Sequence, residues 1–232
     1  MENRVIAHRG ASAHAPENTL LAFHKAKELG AEWIECDVQL TRDGEAVIFH
    51  DSRLNRTTNG SGWLRWKKYT DIQHLDAGLG ERIIKLAELL HCLEKLSLSV
   101  HLEIKPSFGR SQKTAAKIMD ILHQHNQKGS THHIHISSFC WKTLHHVRRL
   151  HHSIPIALLM DRWNPQWKKT AERLSCVSIH CSKDILTPER ILEIKNTGRK
   201  ILAYTVNHPH EAHKLYQMGV DKVFSDHPDL LD

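Results

Sequence analysis

The feature that most constrains the fold of this chain is its alternation of short apolar runs with longer stretches of helical periodicity. Eight runs are predicted as strands, near residues 5–7, 33–37, 100–104, 133–137, 156–159, 177–180, 201–206 and 222–224. Helices are predicted between most of them, at 19–29, 84–96, 112–125, 141–150, 166–174, 188–196 and 209–218. This alternation is typical of a parallel sheet covered by helices, and eight strands suffice to close a barrel. The sequence therefore predicts one (β/α)8 TIM-barrel domain over residues 1–232.

Two segments interrupt the alternation. After the second strand, Asp43-Gly44 lies between alternating apolar residues and predicts a β-hairpin. A two-residue turn at that dipeptide pairs residue 37 with residue 50, so that His50 stands opposite Asp37. Residues 51–82 match neither element type, and we predict a loop-rich insertion that covers one end of the barrel.

Carboxylates occur on two of the predicted strands. Glu35 and Asp37 are separated by one residue, so strand geometry places both on one face. Glu103 and Lys105 repeat that spacing at the end of another strand. Inside a barrel such acids are costly unless a cation neutralises them, and their hard oxygen atoms suit Mg²⁺ or Ca²⁺. Solvated acids at a strand end are the alternative interpretation.

Two histidines complete the candidate site. His8 and Arg9 follow the first strand, and functional residues of α/β barrels gather at the carboxyl ends of strands. A single histidine there is weak evidence, but His8 together with His50 forms a candidate acid/base pair. Arg9 and Lys105 could hold the oxygen atoms of a phosphoryl group. These residue types favour metal-assisted cleavage of a phosphodiester.

Motifs along the amino-terminal half resemble a known family. They are Ala7-His8-Arg9-Gly10, Ala15-Pro16-Glu17-Asn18-Thr19, Ile34-Glu35-Cys36-Asp37-Val38, Thr41-Arg42-Asp43-Gly44 and Phe49-His50-Asp51. Their order and spacing resemble the signature of glycerophosphodiester phosphodiesterases, above all the small cytosolic bacterial members. Similarity continues over nearly the whole chain. The resemblance implies a barrel of the phosphatidylinositol-phospholipase-C-like kind that hydrolyses deacylated phospholipids to sn-glycerol 3-phosphate and an alcohol.

The resemblance also implies residue roles. His8 and His50 match the acid/base pair, and Arg9 and Lys105 match the residues that bind the substrate phosphate. The ligands of one divalent cation, Mg²⁺ or Ca²⁺, match Glu35, Asp37 and Glu103. Glu17 and Asn18 match a segment at a helix start, which suggests structural support. The expected partner is a small glycerophosphodiester.

Two other functions deserve comparison. Related barrels act on lysophospholipids or sphingolipids, but this chain lacks an apolar stretch for docking to a membrane. Single-stranded nucleic acid could stack on Trp63 and Trp66, which lie among basic residues at 65–68. The basic residues behind the net charge of +6 are scattered, however, and no nucleic-acid recognition motif surrounds the tryptophans. We therefore expect neither a nucleic-acid partner nor a stable membrane anchor.

Cysteine usage bears on the compartment. The five cysteines form no CxxC pair and are odd in number, which favours reduced thiols over a disulfide framework. The first strand begins at Val5, which leaves no room for a signal peptide. Together these features predict a cytoplasmic protein.

Overall fold

The computed structural model describes residues 4–126 and 133–230 and shows a closed parallel barrel. Its strands are β1 (Val5–Ala7), β2 (Trp33–Leu40), β3 (Ala46–Ile48), β4 (Ser99–Ile104), β5 (Ile134–Ser138), β6 (Ile156–Met160), β7 (Ser178–Ser182), β8 (Lys200–Tyr204) and β9 (Lys222–Ser225). All except β3 run parallel around the barrel, and β1 closes the ring by pairing with both β2 and β9. The predicted TIM barrel is confirmed.

Helices cover the outside of this barrel. They are α1 (Leu20–Glu28), α2 (Tyr69–Ile72), α3 (Leu86–Leu96), α4 (Ser111–Asn126), α5 (Trp141–Leu150), α6 (Trp167–Arg173), α7 (Pro188–Lys195) and α8 (Pro209–Gln217). Local signals fix several of their ends. The Thr19 hydroxyl accepts a hydrogen bond from the Ala22 amide at the start of α1, and Thr187 caps α7 in the same way. In the part of the chain that the structure describes, no helix is long and apolar enough to cross a bilayer.

The barrel wall separates an apolar layer from a partly polar interior. On β2, Ile34, Cys36 and Val38 are fully buried in the core between strands and helices. Burying one aliphatic side chain of this size contributes about 1.5 to 3 kcal/mol, so this pattern fixes which face of β2 is turned outward. Glu35 and Asp37 consequently face the barrel interior.

The hairpin formed by β2 and β3 has a different register from the one predicted. β3 pairs Val38 with Ile48 and Leu40 with Ala46, one residue away from the predicted alignment. The shift arises because the turn contains three residues, 42–44, and closes with a hydrogen bond from the Thr41 amide to the Glu45 carbonyl. Gly44 takes the left-handed conformation (φ 88°) that such a turn requires.

This register moves His50 off Asp37. The Asp37 carbonyl accepts a hydrogen bond from the Phe49 amide at 2.9 Å, so Phe49 lies beside Asp37 and His50 lies beyond the ladder. The prediction that His50 stands opposite Asp37 was wrong, although the chain still brings His50 to the same end of the barrel.

The segment 51–82 packs around a small core of its own. It consists mainly of turns, with a 3₁₀ helix at Leu64–Trp66 and the single turn of α2. Its apolar residues bury themselves against the hairpin and against the residues that lead into α3. The tryptophans of the basic cluster stay outside, with Trp63 45% and Trp66 66% exposed.

Neutral histidine rings fill part of the barrel interior. The ring centroid of His101 lies 5.1 Å from that of His180 and 4.8 Å from that of His135. His180 is fully buried, and its Nε2 lies 3.0 Å from the Ser178 hydroxyl. Burial lowers the pKa of His180 to about 3 and that of His135 to about 4. Both rings are therefore neutral near neutral pH.

His180 should make folding sensitive to acid. In the unfolded chain this histidine takes up a proton near pH 6.5, whereas in the folded barrel it stays neutral until about pH 3. Unfolding between these values binds a proton, so stability falls as the pH falls, by about 1.4 kcal/mol per pH unit. When the pH is lowered from about 7 to about 5, the free energy of unfolding should fall in both proteins. The fall in His180→Gln should be about 2 kcal/mol smaller than in the parent. Urea denaturation at both pH values measures this difference.

The control is His213→Gln, since the ring of His213 is exposed on α8. Glu103 has the opposite effect on stability, because its raised pKa in the folded state stabilises the fold as the pH falls through about 7. All the compared proteins contain Glu103, so its effect cancels in the comparison. Equal pH dependence in His180→Gln and the parent would show that this ring does not determine the acid sensitivity.

Candidate active site

Two adjacent strands bring three carboxylates together at the carboxyl end of the barrel. β2 supplies Glu35 and Asp37, and β4 supplies Glu103 directly beside Asp37 in the strand register. One oxygen atom from each of the three carboxylates lies within 4.8 Å of the others. Glu35 is 6% exposed and Asp37 only 1%, so water screens their mutual repulsion poorly.

The crowding of these acids changes their protonation. Burial, followed by the charges of Asp37 and Glu103, raises the pKa of Glu35 well above its usual range. Burial and the charge of Asp37 raise the pKa of Glu103 to about 7. Burial and mutual repulsion make it costly to ionise these two glutamates, and a nearby divalent cation would remove that cost. The oxygen atoms of all three carboxylates suit a hard cation. We therefore regard this cluster as a candidate metal site.

Two cationic side chains border the same cluster. Lys105 Nζ lies 3.3 Å from Asp37 Oδ1 and 3.8 Å from Glu103 Oε1, and Arg9 Nε lies 3.5 Å from Asp37 Oδ2. Burial alone would raise the pKa of Asp37, but the charges of Lys105 and Arg9 lower it instead. With all three acids ionised, these two cations would leave one net negative charge, which a bound cation would offset.

The backbone that carries Arg9 is strained and held in place. Arg9 has a φ of 57°, which non-glycine residues rarely adopt. Its amide donates to Glu35 Oε2 at 3.1 Å, and its carbonyl accepts from the Asn18 amide at 3.0 Å. The next residue must be glycine, because a Cβ at Gly10 would lie 2.7 Å from the side chain of Ala22. These contacts fix the Arg9 side chain beside the carboxylates.

His8 is oriented by a carboxylate that directly follows the last strand of the barrel. Its Nδ1 lies 2.7 Å from Asp226 Oδ1, while its Nε2 lies 3.9 Å from Glu35 Oε2. Burial acts to raise the pKa of Asp226, but hydrogen bonds from His8, Asn207 and Ser12 hold that pKa well below its usual range. Asp226 is thus ionised and accepts the Nδ1 proton, which leaves Nε2 of His8 on the side of the acid cluster.

His50 has a matching partner from the adjacent position in the chain. Its Nδ1 lies 2.6 Å from Asp51 Oδ1. Hydrogen bonds from Arg56 and His50 keep the pKa of Asp51 well below its usual range, so Asp51 is also an ionised acceptor. Burial lowers the pKa of His50 itself, which favours the neutral ring. Each candidate acid/base histidine therefore has one nitrogen bound to a carboxylate and one available for proton transfer.

A cavity of about 260 Å³ joins these groups. His8, Arg9, His50 and two of the acids line its charged side. The rest of its wall includes Phe139, Leu159, Tyr204 and Phe224. Such a cavity provides a charged end for a phosphate and an apolar wall for the remainder of a small molecule.

A chain of ion pairs links Arg9 to His50. Arg9 donates to Glu17 Oε1 at 2.9 Å, and Arg56 donates to both oxygen atoms of Glu17, at 2.6 and 2.8 Å. Arg56 also donates to both oxygen atoms of Asp51, at 2.7 and 2.9 Å. Through Asp51 this path ends at His50, so the insertion 51–82 is tied to the barrel mouth.

The sequence did not single out Asp51, Asp226 or Arg56 as site residues. Asp51 directly follows His50, and Asp226 directly follows β9, so the position of a polar residue at a strand end was an available signal. The strand and helix pattern gave no signal for Arg56, and one of its two partners, Glu17, lies 39 residues away in the chain. Asn18, predicted as structural support, does contact the site, since its side-chain amide donates to Asp37 Oδ2 at 2.9 Å.

Comparison with known proteins identifies relatives of the whole chain. A model of the glycerophosphoryl diester phosphodiesterase family matches residues 8–230. A glycerophosphodiester phosphodiesterase from Caldanaerobacter subterraneus subsp. tengcongensis is 34% identical over all of this chain and 97% of its own length. Another protein of that name, from Bacillus subtilis, is 30% identical over 97% of this chain and 84% of its own length.

A solved structure agrees with this result. A phosphodiesterase from Oleispira antarctica, determined in complex with its product sn-glycerol 3-phosphate, superimposes with a TM-score of 0.94. It is 35% identical to this chain, and the match covers 98% of this chain and 94% of that one. Sequence and fold therefore lead to the same group of enzymes.

Proposed function

Since the chain belongs to the glycerophosphoryl diester phosphodiesterase family, we propose that it hydrolyses deacylated phospholipids to sn-glycerol 3-phosphate and an alcohol. The chain is a phosphoric diester hydrolase with glycerophosphodiester phosphodiesterase activity, as its motifs predicted. The observation that carries the proposal is the acid cluster beside a cavity that Glu35, Glu103 and both histidines line. The product bound by the Oleispira antarctica relative supports glycerol 3-phosphate as the retained part of the substrate.

Glu35, Asp37 and Glu103 would hold one divalent cation, Mg²⁺ or Ca²⁺. Their convergence within 4.8 Å and the raised pKa values of the two glutamates support this assignment. Such a cation, when bound, would act as a Lewis acid toward the phosphodiester. Arg9 and Lys105 would hold the phosphoryl oxygens, because both cations lie beside Asp37 at the charged end of the site.

The two histidines would divide the proton transfers. His50 suits the general base, because burial lowers its pKa and Asp51 holds its Nδ1 proton. Its Nε2 would take the proton of the attacking hydroxyl, whether that belongs to the glycerol moiety or to water. His8 would then give a proton from Nε2 to the leaving alkoxide, while Asp226 stabilises the charged ring. In both histidines a carboxylate binds Nδ1, which leaves Nε2 for the proton transfer.

We also propose that the protein works in the cytoplasm on small, water-borne substrates. All five cysteines are free thiols, and four of them are buried. Thiols in these positions persist in a reducing compartment, where disulfides are rare.

Removing either histidine should slow catalysis with little effect on substrate binding. We expect His50→Gln and His8→Gln each to lower kcat about 10² to 10⁴-fold on glycerophosphocholine, since each loses one proton-transfer step. Release of sn-glycerol 3-phosphate, followed with a coupled assay, measures the rates. Chelator should abolish activity in the parent, and added Mg²⁺ or Ca²⁺ should restore it.

The matched control is His74→Gln, an exposed histidine in the insertion, which should keep the parent rate. A His50→Gln protein that binds metal and keeps full activity would refute the assigned role. Activity on lysophosphatidylcholine above that on glycerophosphocholine would instead favour the lysophospholipid function.

Arg56 should act as a positioning residue for His50. Its guanidinium offsets the charge of Asp51, so removing it lets Asp51 stabilise protonated His50 more strongly and raises the pKa of His50. Arg56→Gln should therefore lower kcat about tenfold with little change in KM and move the acid limb of kcat/KM to higher pH. A pH–rate profile of the variant measures both effects.

Arg53→Gln is the control for Arg56, because Arg53 is exposed in the same segment and stacks on Trp63 instead. If Arg56→Gln lost activity without any movement of the acid limb, its role would be structural only.

A further inference from the structure

A second cluster of ligand-type side chains lies at the edge of the barrel, apart from the acid cluster. His14 comes from the segment between β1 and α1, and His227 and Asp229 come from the segment after β9. One ligand atom from each of these residues lies within 4.8 Å of the others. We propose that His14, His227 and Asp229 form a binding site for one transition-metal ion of the zinc class.

The ligand types determine the class of metal. Two imidazoles and one carboxylate suit Zn²⁺, Co²⁺ or Ni²⁺, whereas Mg²⁺ and Ca²⁺ prefer oxygen atoms alone. The acid cluster at the barrel mouth offers three carboxylates and no nitrogen ligand. The two sites therefore differ in chemistry and can be loaded with different ions.

The side chains already adopt an arrangement close to that of ligands. His14 Nε2 lies 2.8 Å from Asp229 Oδ1, and the His14 and His227 rings meet edge to face with centroids 5.7 Å apart. His14 and Asp229 are exposed and His227 is half-buried, so an ion can enter from solvent and keep a water ligand. An ion would replace the His14–Asp229 hydrogen bond with two coordinate bonds.

The backbone around the ligands is held by independent contacts. The Ala13 amide donates to the Asp226 carbonyl at 3.1 Å, and the Ser12 hydroxyl donates to Asp226 Oδ1 at 2.9 Å. The His227 amide donates to the Ser225 hydroxyl at 3.0 Å. Because the two segments are already joined next to the ligands, ion binding requires little further ordering of the chain.

The position of the site indicates its effect. The joined segments begin at His8 on one side and contain Asp226 on the other, and these two residues form the hydrogen-bonded pair of the catalytic cavity. An ion bound by His14, His227 and Asp229 would connect residues 215 positions apart in the chain. It should therefore stabilise the folded state and leave the hydrolytic chemistry to the acid cluster.

Calorimetric titration of Zn²⁺ into protein saturated with Mg²⁺ tests the proposal. The parent should bind one zinc ion per chain that excess Mg²⁺ does not displace, and the ion should raise the melting temperature. His227→Ala and Asp229→Ala should weaken this binding by more than the roughly 10- to 100-fold that loss of an outer-shell partner costs. His213→Ala, which removes an exposed histidine on α8, should bind zinc like the parent.

Cobalt provides a readout that does not depend on stability or activity. Co²⁺ bound to the parent should show the visible absorption of a nitrogen-containing site, and His14→Ala should lose it while glycerophosphocholine hydrolysis with Mg²⁺ continues. Equal zinc affinity in the parent and in all three ligand variants would overturn the proposal. So would displacement of the zinc by Mg²⁺, because it would assign the ion to the acid cluster.

Discussion

Repulsion among three carboxylates at one end of the barrel is the constraint on which the rest of the site depends. The strand register puts Asp37 beside Glu103, and the period of β2 adds Glu35 on the same face. Burial, together with the like charges nearby, makes ionisation unfavourable here and raises the pKa of both glutamates. Lys105 and Arg9 offset part of this charge, and a divalent cation would offset the remainder. In the proposed function, this electrostatic cost is the condition for holding an ion where a phosphodiester can reach it.

The histidines depend on a second set of carboxylates that lie outside the cluster. Asp226 and Asp51 each bind one ring nitrogen, which is the arrangement that the proposed proton transfers by His8 and His50 require. Arg56 couples this arrangement to the insertion, because it binds Asp51 and Glu17 at once. Leu54 of the small core lies two residues before Arg56, so the insertion carries the arginine that we propose orients the candidate base His50.

Short-range patterns in the sequence predicted most of what the structure contains. The alternation of strands and helices gave the barrel, and the two-residue period placed Glu35 and Asp37 on one face. The hairpin register failed because Gly44 closes a three-residue turn, and one added residue shifts every later pair. The strand-end position of Asp226 could have marked it as a candidate, but its pairing with His8, 218 residues away, and the pairing of Arg56 with Glu17 join distant segments, which local periodicity does not encode.

The most direct test of the shared-cation site is anomalous X-ray scattering from crystals of the protein soaked in Mn²⁺, a substitute for Mg²⁺ with the same preference for oxygen. The account predicts one strong peak at the barrel mouth, within about 2.0 to 2.6 Å of a carboxylate oxygen from each of Glu35, Asp37 and Glu103. A peak bound by only one of these residues, or none at the barrel mouth, would contradict it.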